Sequence, residues 1–295
     1  MVILEDSIMQ KGIPATVGSK MLENFIAPFD ATVVTRLKEN NIEITGRTKM
    51  SDFGLSGGET CGLTLCNDLF GTYRRAGICY IHPTYGTVSR YGLIPLAPSM
   101  DQIGVACKDL YEGFDLLSKI AGNDPNDGAM FPEKKYEYKV SDKKIKIAGS
   151  EVLKYTDVYE QVMAILSCAE ISNNLTRYDG IKFGYRTQNY KNLNDLYINT
   201  RSEAFGLQAK LVSIMGAVVL SRDNYSAYYE KAMKIRRLIK QSLRFDEYDV
   251  IELPTGYEML AQLTGLPSIS FNGIQLIADV RNENALLTAW EVAYK

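Results

Sequence analysis

Ser56-Gly57-Gly58-Glu59-Thr60 leads through Cys61 and Gly62 into Asn67-Asp68-Leu69-Phe70-Gly71-Thr72-Tyr73-Arg74. Four glycines in this span (57, 58, 62 and 71) mark tight backbone, and glycine clustering of this kind sometimes accompanies a ligand. Upstream, Val2-Ile3-Leu4 reads as a strand, Gly12-Ile13-Pro14 as a turn, and Ser19 as the cap of a helical turn carrying Met21, Leu22, Phe25 and Ile26. Asp30 is expected to open a helix with Val33, Val34 and Leu37 on one face, and Ile42-Glu43-Ile44 alternates as a strand does. Downstream come a Pro83-Thr84-Tyr85-Gly86 turn, then Tyr91-Gly92-Leu93-Ile94-Pro95, then a helix over 109–120 closed by Gly122 and the polar turn 123–128.

This strand and helix rhythm persists to the end of the chain. Lys143, Lys144, Ile145, Lys146, Ile147 and Ala148 alternate like a strand with one wet face, and a solvated connector precedes them. A weak subdomain boundary is therefore expected near 130–140 within a single domain of 1–295. Helices are expected over 155–169, 193–210, 212–220, 225–243 and 282–293, with short buried strands at 250–253 and 274–277. No internal repeat or low-complexity tract is present. The expected class is α/β, a central sheet covered by helices on both faces.

Composition narrows the functional classes. A 33.0 kDa chain should fold to a surface of about 12,500 Å². Lys plus Arg number 33 against 35 Asp plus Glu, so no basic field gathers nucleic acid or anionic lipid. No run reaches the length of a membrane span. One histidine, His82, excludes multi-histidine metal sites and leaves a single imidazole base. Five cysteines without a Cys-x-x-Cys pair encode neither a disulfide framework nor a zinc ribbon. Glu5 and Asp6 stand where a signal peptide needs basic residues, so a cytoplasmic protein without metal or cofactor is expected.

Three features have both a functional and a bland reading. The segment with Tyr225, Tyr228, Tyr229, Lys231, Lys234, Arg236, Arg237 and Lys240 could present bases and aromatics to RNA. However, Tyr225, Tyr228, Ala232, Ile235 and Ile239 fall at core-facing spacing with the charges outside, and core packing is the stronger reading. His82 has no triad order around it and reads as structural. Cys66 lies in the glycine-rich stretch, but nothing nearby lowers a thiol pKa, so the cysteines read as buried thiols.

The glycine-rich stretch, together with Lys20-Met21-Leu22-Glu23-Asn24-Phe25, Pro83-Thr84-Tyr85-Gly86, Val88-Ser89-Arg90-Tyr91-Gly92-Leu93 and Asp101-Gln102-Ile103-Gly104, resembles the amidase signature family. The similarity continues through Tyr178-Asp179-Gly180, Gly184-Tyr185-Arg186, Thr200-Arg201-Ser202-Glu203, Leu238-Ile239-Lys240-Gln241 and Gly265-Leu266-Pro267-Ser268-Ile269-Ser270. Within the family the chain is most similar to the A subunits of glutamyl/aspartyl-tRNA amidotransferases, whose glutaminase site frees ammonia for a tRNA-bound substrate. The resemblance implies a mixed central sheet, trimmed here. It also implies a Ser, cis-Ser, Lys relay in which a neutral lysine draws a proton through one serine from the nucleophilic serine.

Each relay element is altered. The resemblance places Glu5 of Leu4-Glu5-Asp6-Ser7-Ile8 at the lysine position. A carboxylate about 5 Å from a developing oxyanion opposes it by about 3 kcal/mol at an effective dielectric near 20. That is roughly two decades in rate. Ser56-Gly57-Gly58 matches the cis-serine motif, with Leu55 an equally good match for the serine itself. Thr72 stands for the nucleophile, and Phe70 replaces a glycine of the turn that aims its N–H groups at the oxyanion. The connection from Ser56 to Thr72 is shorter than in the family, and so is the one after the 250–253 strand, reduced to Pro254-Thr255-Gly256. The family's amino-terminal helical region is expected to be missing, and Leu211-Val212-Ser213 stands where relatives carry an arginine that anchors a carboxylate. Gly57, Gly58, Gly71, Arg74 and Tyr178 remain as substrate-side candidates. Tyr178 also reads as a buried tyrosine that finds a hydrogen-bond partner, and Arg74 as a loop pin.

The sequence therefore points to a catalytically degenerate, shortened relative of these A subunits, used for binding or assembly. Two alternatives are an amide hydrolase with Thr72 attacking and Ser56 relaying, and a binding module that uses the old cleft without turnover. Expected partners are a second copy or proteins resembling the B and C subunits, because trimming uncovers faces. Neither direct nucleic-acid contact nor membrane contact is expected.

Overall fold

The computed structural model describes residues 1–56, 58, 62–70, 77–254 and 256–295. Among the described residues the strands are β1 (Val2–Glu5), β2 (Ile44–Thr48), β3 (Thr64–Cys66), β4 (Cys79–His82), β5 (Gly104–Cys107), β6 (Ile147–Ala148), β7 (Val250–Pro254), β8 (Ser268–Phe271) and β9 (Ile274–Ala278). They form one mixed sheet in the order β2-β1-β3-β5-β4-β8-β9-β7-β6. β1 runs parallel to β2 and β3, and β6 parallel to β7; the other neighbours are antiparallel.

Strand alternation sends successive side chains to opposite faces. On β7, Val250 enters one hydrophobic cluster and Ile251 the other; on β9, Leu276 and Ile277 divide the same way. The first cluster is covered by α1 (Thr32–Glu39), α2 (Leu110–Ile120) and α8 (Glu283–Ala293). The second is covered by α3 (Tyr159–Leu175), α6 (Lys231–Ser242) and α7 (Met259–Thr264), with α4 (Leu193–Ala204) and α5 (Leu207–Leu220) outside them. The class is the α/β sheet covered on both faces that the sequence implied.

Several local expectations are corrected. Asp30 does not cap α1. Its carboxylate accepts from the Lys11 N–H at 2.8 Å and pairs with Lys38, while the helix starts after Ala31. The alternating 143–148 segment contributes only Ile147–Ala148 as strand, because Asp249 takes the Lys143 ammonium and the Lys146 N–H. The expected 193–210 helix breaks at Phe205-Gly206, where the Asp52 carboxylate accepts the Gly206 N–H at 2.8 Å. Tyr225 and Tyr228 are exposed rather than core-facing, and the chain there winds as a π-helical turn before α6, which rotates them off the buried face held by Ala232 and Ile239.

α5 is the anomaly of the fold. Its sequence, LQAKLVSIMGAVVL, is apolar all round, as suits a helix enclosed on every side. Yet only Ala209, Gly216 and Val219 are buried. Gly216 is needed there: a Cβ would lie 2.2 Å from the Cys168 carbonyl oxygen and 2.3 Å from the Ser172 Oγ of α3. Leu207 is 71% exposed and Ile214 63%, with Leu211, Met215 and Val218 beside them. The accessible surface, 13994 Å², exceeds the size expectation by roughly 1,500 Å².

Candidate active site

Glu5 ends β1, between Thr48 of β2 and the β3 strand. Because β1 is internal to the sheet, its last side chain is enclosed, and Glu5 is 0% exposed. The Ser7 hydroxyl donates to its Oε1. A cavity of about 20 Å³ lies against Glu5 and Ser7, walled by Met50, Phe53, Leu69 and Leu96 among others. That is room for about one water molecule. Asp101 braces two sides of it: its carboxylate accepts from Asn67 Nδ2 and from the Leu96 N–H, each at 2.8 Å, and both residues line the cavity. Burial raises the Asp101 carboxyl, with these hydrogen bonds opposing the rise.

The surroundings resist negative charge. Burial pushes the Cys66 thiol well above its ordinary range, and the carboxylates of Glu5 and Asp68 push it further. Tyr80 is raised by burial and then by Cys66 and Asp68. Cys66 is therefore a buried, protonated thiol, as the sequence suggested. His82 is also buried, on β4 opposite Ser268.

The remaining candidates divide. Ser56 is exposed, its N–H donates to Ser51 Oγ at 2.9 Å, and it does not line the cavity at Glu5. Gly58 bridges Met50, a wall of that cavity. Tyr178 is buried, but among the described residues its hydroxyl makes no hydrogen bond. Its ring packs instead on Phe53 (5.3 Å between centroids) and edge-on to Phe183, which corrects the hydrogen-bonded reading. Phe53 thus separates Tyr178 from the cavity at Glu5. Thr72, Gly57, Gly71 and Arg74 lie outside the described residues.

A second polar constellation was not singled out from the sequence. Arg90 holds Asp127 through Nε and Nη2, and also reaches the Tyr85 hydroxyl and the Pro98 carbonyl. Burial would raise the Asp127 carboxyl, but the Arg90 hydrogen bonds outweigh it and hold the group at about 2. The hint lay in the Val88–Leu93 motif itself, where an arginine between turn residues often ties loops together. No helix among the described residues is long and apolar enough to cross a membrane, and no group of three His, Cys, Asp or Glu among them is placed to hold a metal.

The amidase family model matches residues 1–62, 75–167 and 138–267, leaving residues 63–74 between the first two matches. The chain is 31% identical to the A subunit of the glutamyl-tRNA(Gln) amidotransferase of Caldanaerobacter subterraneus over an alignment of 402 positions, covering 100% of this chain and 82% of that one. It is 33% identical to the corresponding protein of Lachnoclostridium phytofermentans, covering 86% and 66%. An alignment of 402 positions for 295 residues means that the chain lacks internal segments its relative has. Among solved structures, the A subunit of the Thermotoga maritima glutamyl-tRNA(Gln) amidotransferase superposes with a TM-score of 0.65 at 25% identity, covering 97% and 81%. The peptide amidase of Stenotrophomonas maltophilia superposes with 0.74 at 17%, covering 98% and 82%, a likeness of fold. Family-model match, sequence identity and fold likeness agree: the chain belongs to the amidase family, as a shortened relative of the amidotransferase A subunits.

Proposed function

We propose that this chain is a catalytically degenerate amidase, retained as a cytoplasmic binding or assembly component. The observation that carries the reading is Glu5: a fully buried carboxylate, held by Ser7, at the position where the resemblance places the relay lysine. A neutral amine accepts a proton and leaves the site uncharged beforehand; a carboxylate there repels the oxyanion that acyl transfer must build. The raised Cys66 and Tyr80 groups report the same anionic, low-dielectric surroundings. Among the described residues, Phe53, Leu69 and Leu96 wall the hollow against Glu5, which has room for about one water.

The test is ammonia release from glutamine, asparagine and an aryl amide, with Thr72→Ala as control. No turnover above the variant is expected. Turnover lost in Thr72→Ala would instead establish an amide hydrolase with Thr72 attacking and Ser56 relaying.

Assembly is proposed through α5, with a second copy of this chain as the occupant. The exposed Leu207, Leu211, Ile214, Met215, Val218 and Leu220 offer roughly 600 Å² of apolar surface, so two copies together reach about 1,200 Å², the lower bound of stable interfaces. The excess surface of the single chain points the same way. Sedimentation equilibrium at micromolar concentration should give a dimer that Ile214→Glu dissociates. A monomeric wild-type particle would overturn the self-pairing and favour a partner resembling the B or C subunit.

A further inference from the structure

Away from Glu5, a cavity of about 690 Å³ opens between α6, the end of α7 and the turns at Thr84, Ser99 and Phe131. Arg236, Arg237 and Lys240 of α6 line it, and no carboxylate among the described residues does. Two of these cations have structural work. Arg236 donates to the Leu263 carbonyl, to Ser99 Oγ at 2.9 Å and to the Ser99 carbonyl at 3.1 Å; Lys240 donates to the Thr264 carbonyl at 2.9 Å. They thereby cap the C-terminal carbonyls of α7. That role leaves two of five guanidinium N–H groups and two of three ammonium N–H groups unused. It also leaves Arg237, which among the described residues makes no hydrogen bond or ion pair.

The charge balance is the second observation. Burial lowers Lys240, and Arg236 lowers it further, so the two cations repel across the cavity wall. The carboxylates that face them are remote or engaged: Glu170 is held by the Ser99 N–H and hydroxyl, Asp279 attracts Lys240 only at longer range, and Glu283 accepts the Thr84 N–H. Phe131, Met233, Leu263 and Val280 give the same cavity an apolar wall. A dianion between the three cations would remove their repulsion and use their spare donors.

We propose that this cavity binds an organic phosphate, a phosphomonoester held by Arg236, Arg237 and Lys240 with its apolar body against Phe131, Met233 and Val280. The volume lies within the range of small-molecule sites and admits a mononucleotide. The site is independent of Glu5 and of any turnover there.

The experiment is calorimetric titration of the purified chain with AMP, adenosine, inorganic phosphate and a short single-stranded RNA. AMP should bind with submillimolar affinity, more tightly than phosphate or adenosine, and more weakly at higher salt. Arg237→Glu should weaken AMP by about tenfold or more while melting as the wild type does, because Arg237 holds no other described residue in place. Lys240→Gln should weaken it too. Equal affinity for AMP and adenosine, AMP no tighter than phosphate, AMP binding unchanged in Arg237→Glu, or binding of RNA alone would each overturn the proposal.

Discussion

Two hollows in this molecule have opposite characters. The one at Glu5 holds about one water, is braced by Asp101 and carries a buried carboxylate. The one beside α6 holds about 690 Å³, is open and carries three cations. The first sits where the family resemblance places the catalytic base; the second sits at the capped end of α7. The contrast puts a water-sized, anionic hollow and a large, cationic one in a single fold, and the fold alone does not assign a function to either. Substitutions at the small hollow should act on stability, and substitutions at the large one on binding.

The largest effect expected is from Glu5→Lys, which installs the residue that the resemblance implies at this position. Placing an ammonium in an enclosed site beside the Arg47 guanidinium should destabilise the chain by about 3–5 kcal/mol, read from the urea midpoint, without amide turnover. A stable variant that releases ammonia would break the comparison, since the small hollow would be one residue from a working site. Next, Phe53→Ala removes a ring that touches Tyr178 and Phe205 and should lose about 3 kcal/mol in the same measurement.

Asp127→Asn tests the wall of the open hollow, since Asp127 holds Arg90, which stacks on Tyr85 at 4.8 Å. The folded carboxyl is depressed to about 2, so its stabilising contribution is present above the ordinary carboxylate pKa and lost as pH falls through the folded value. Allowing for solvent screening, the variant should be about 1–2 kcal/mol less stable near neutral pH. The deficit should shrink below about pH 4 and vanish near pH 2. A deficit independent of pH would show that packing, not charge, holds that wall. Smallest of all, Arg237→Ala should change stability by less than about 0.5 kcal/mol, because the side chain makes no hydrogen bond or ion pair among the described residues. A larger loss would assign Arg237 to structure and blur the contrast between the hollows.

How much of this was legible varies by element. Ser19 was readable as a cap, and it accepts the Met21 N–H; Asp109, read as the first residue of its helix, instead caps it by accepting the Glu112 N–H. α2, α8, β7 and β9 fall within a residue or two of their sequence boundaries because their periodic apolar residues are the ones buried. α7 and β8 went unnoticed: a six-residue helix and a four-residue strand carry too little periodicity to register. Tyr225 and Tyr228 misled because helical spacing fixes which residues share a face and not whether anything covers it. At the candidate site, the resemblance places Glu5 at the lysine position, whereas nothing in the sequence signals that Phe53, Leu69 and Leu96 share a hollow with it, since those residues come from three separate segments.

The sequence by itself determined the family and the α/β class, because motifs and alternation are local properties written along the chain. Tertiary structure alone decided that Glu5 is fully enclosed, that α5 faces outward and that Arg236, Arg237 and Lys240 share a cavity that no described carboxylate lines. Burial, cavity volume and charge pairing depend on which distant segments meet, and the pattern of one segment carries no record of what lies across from it.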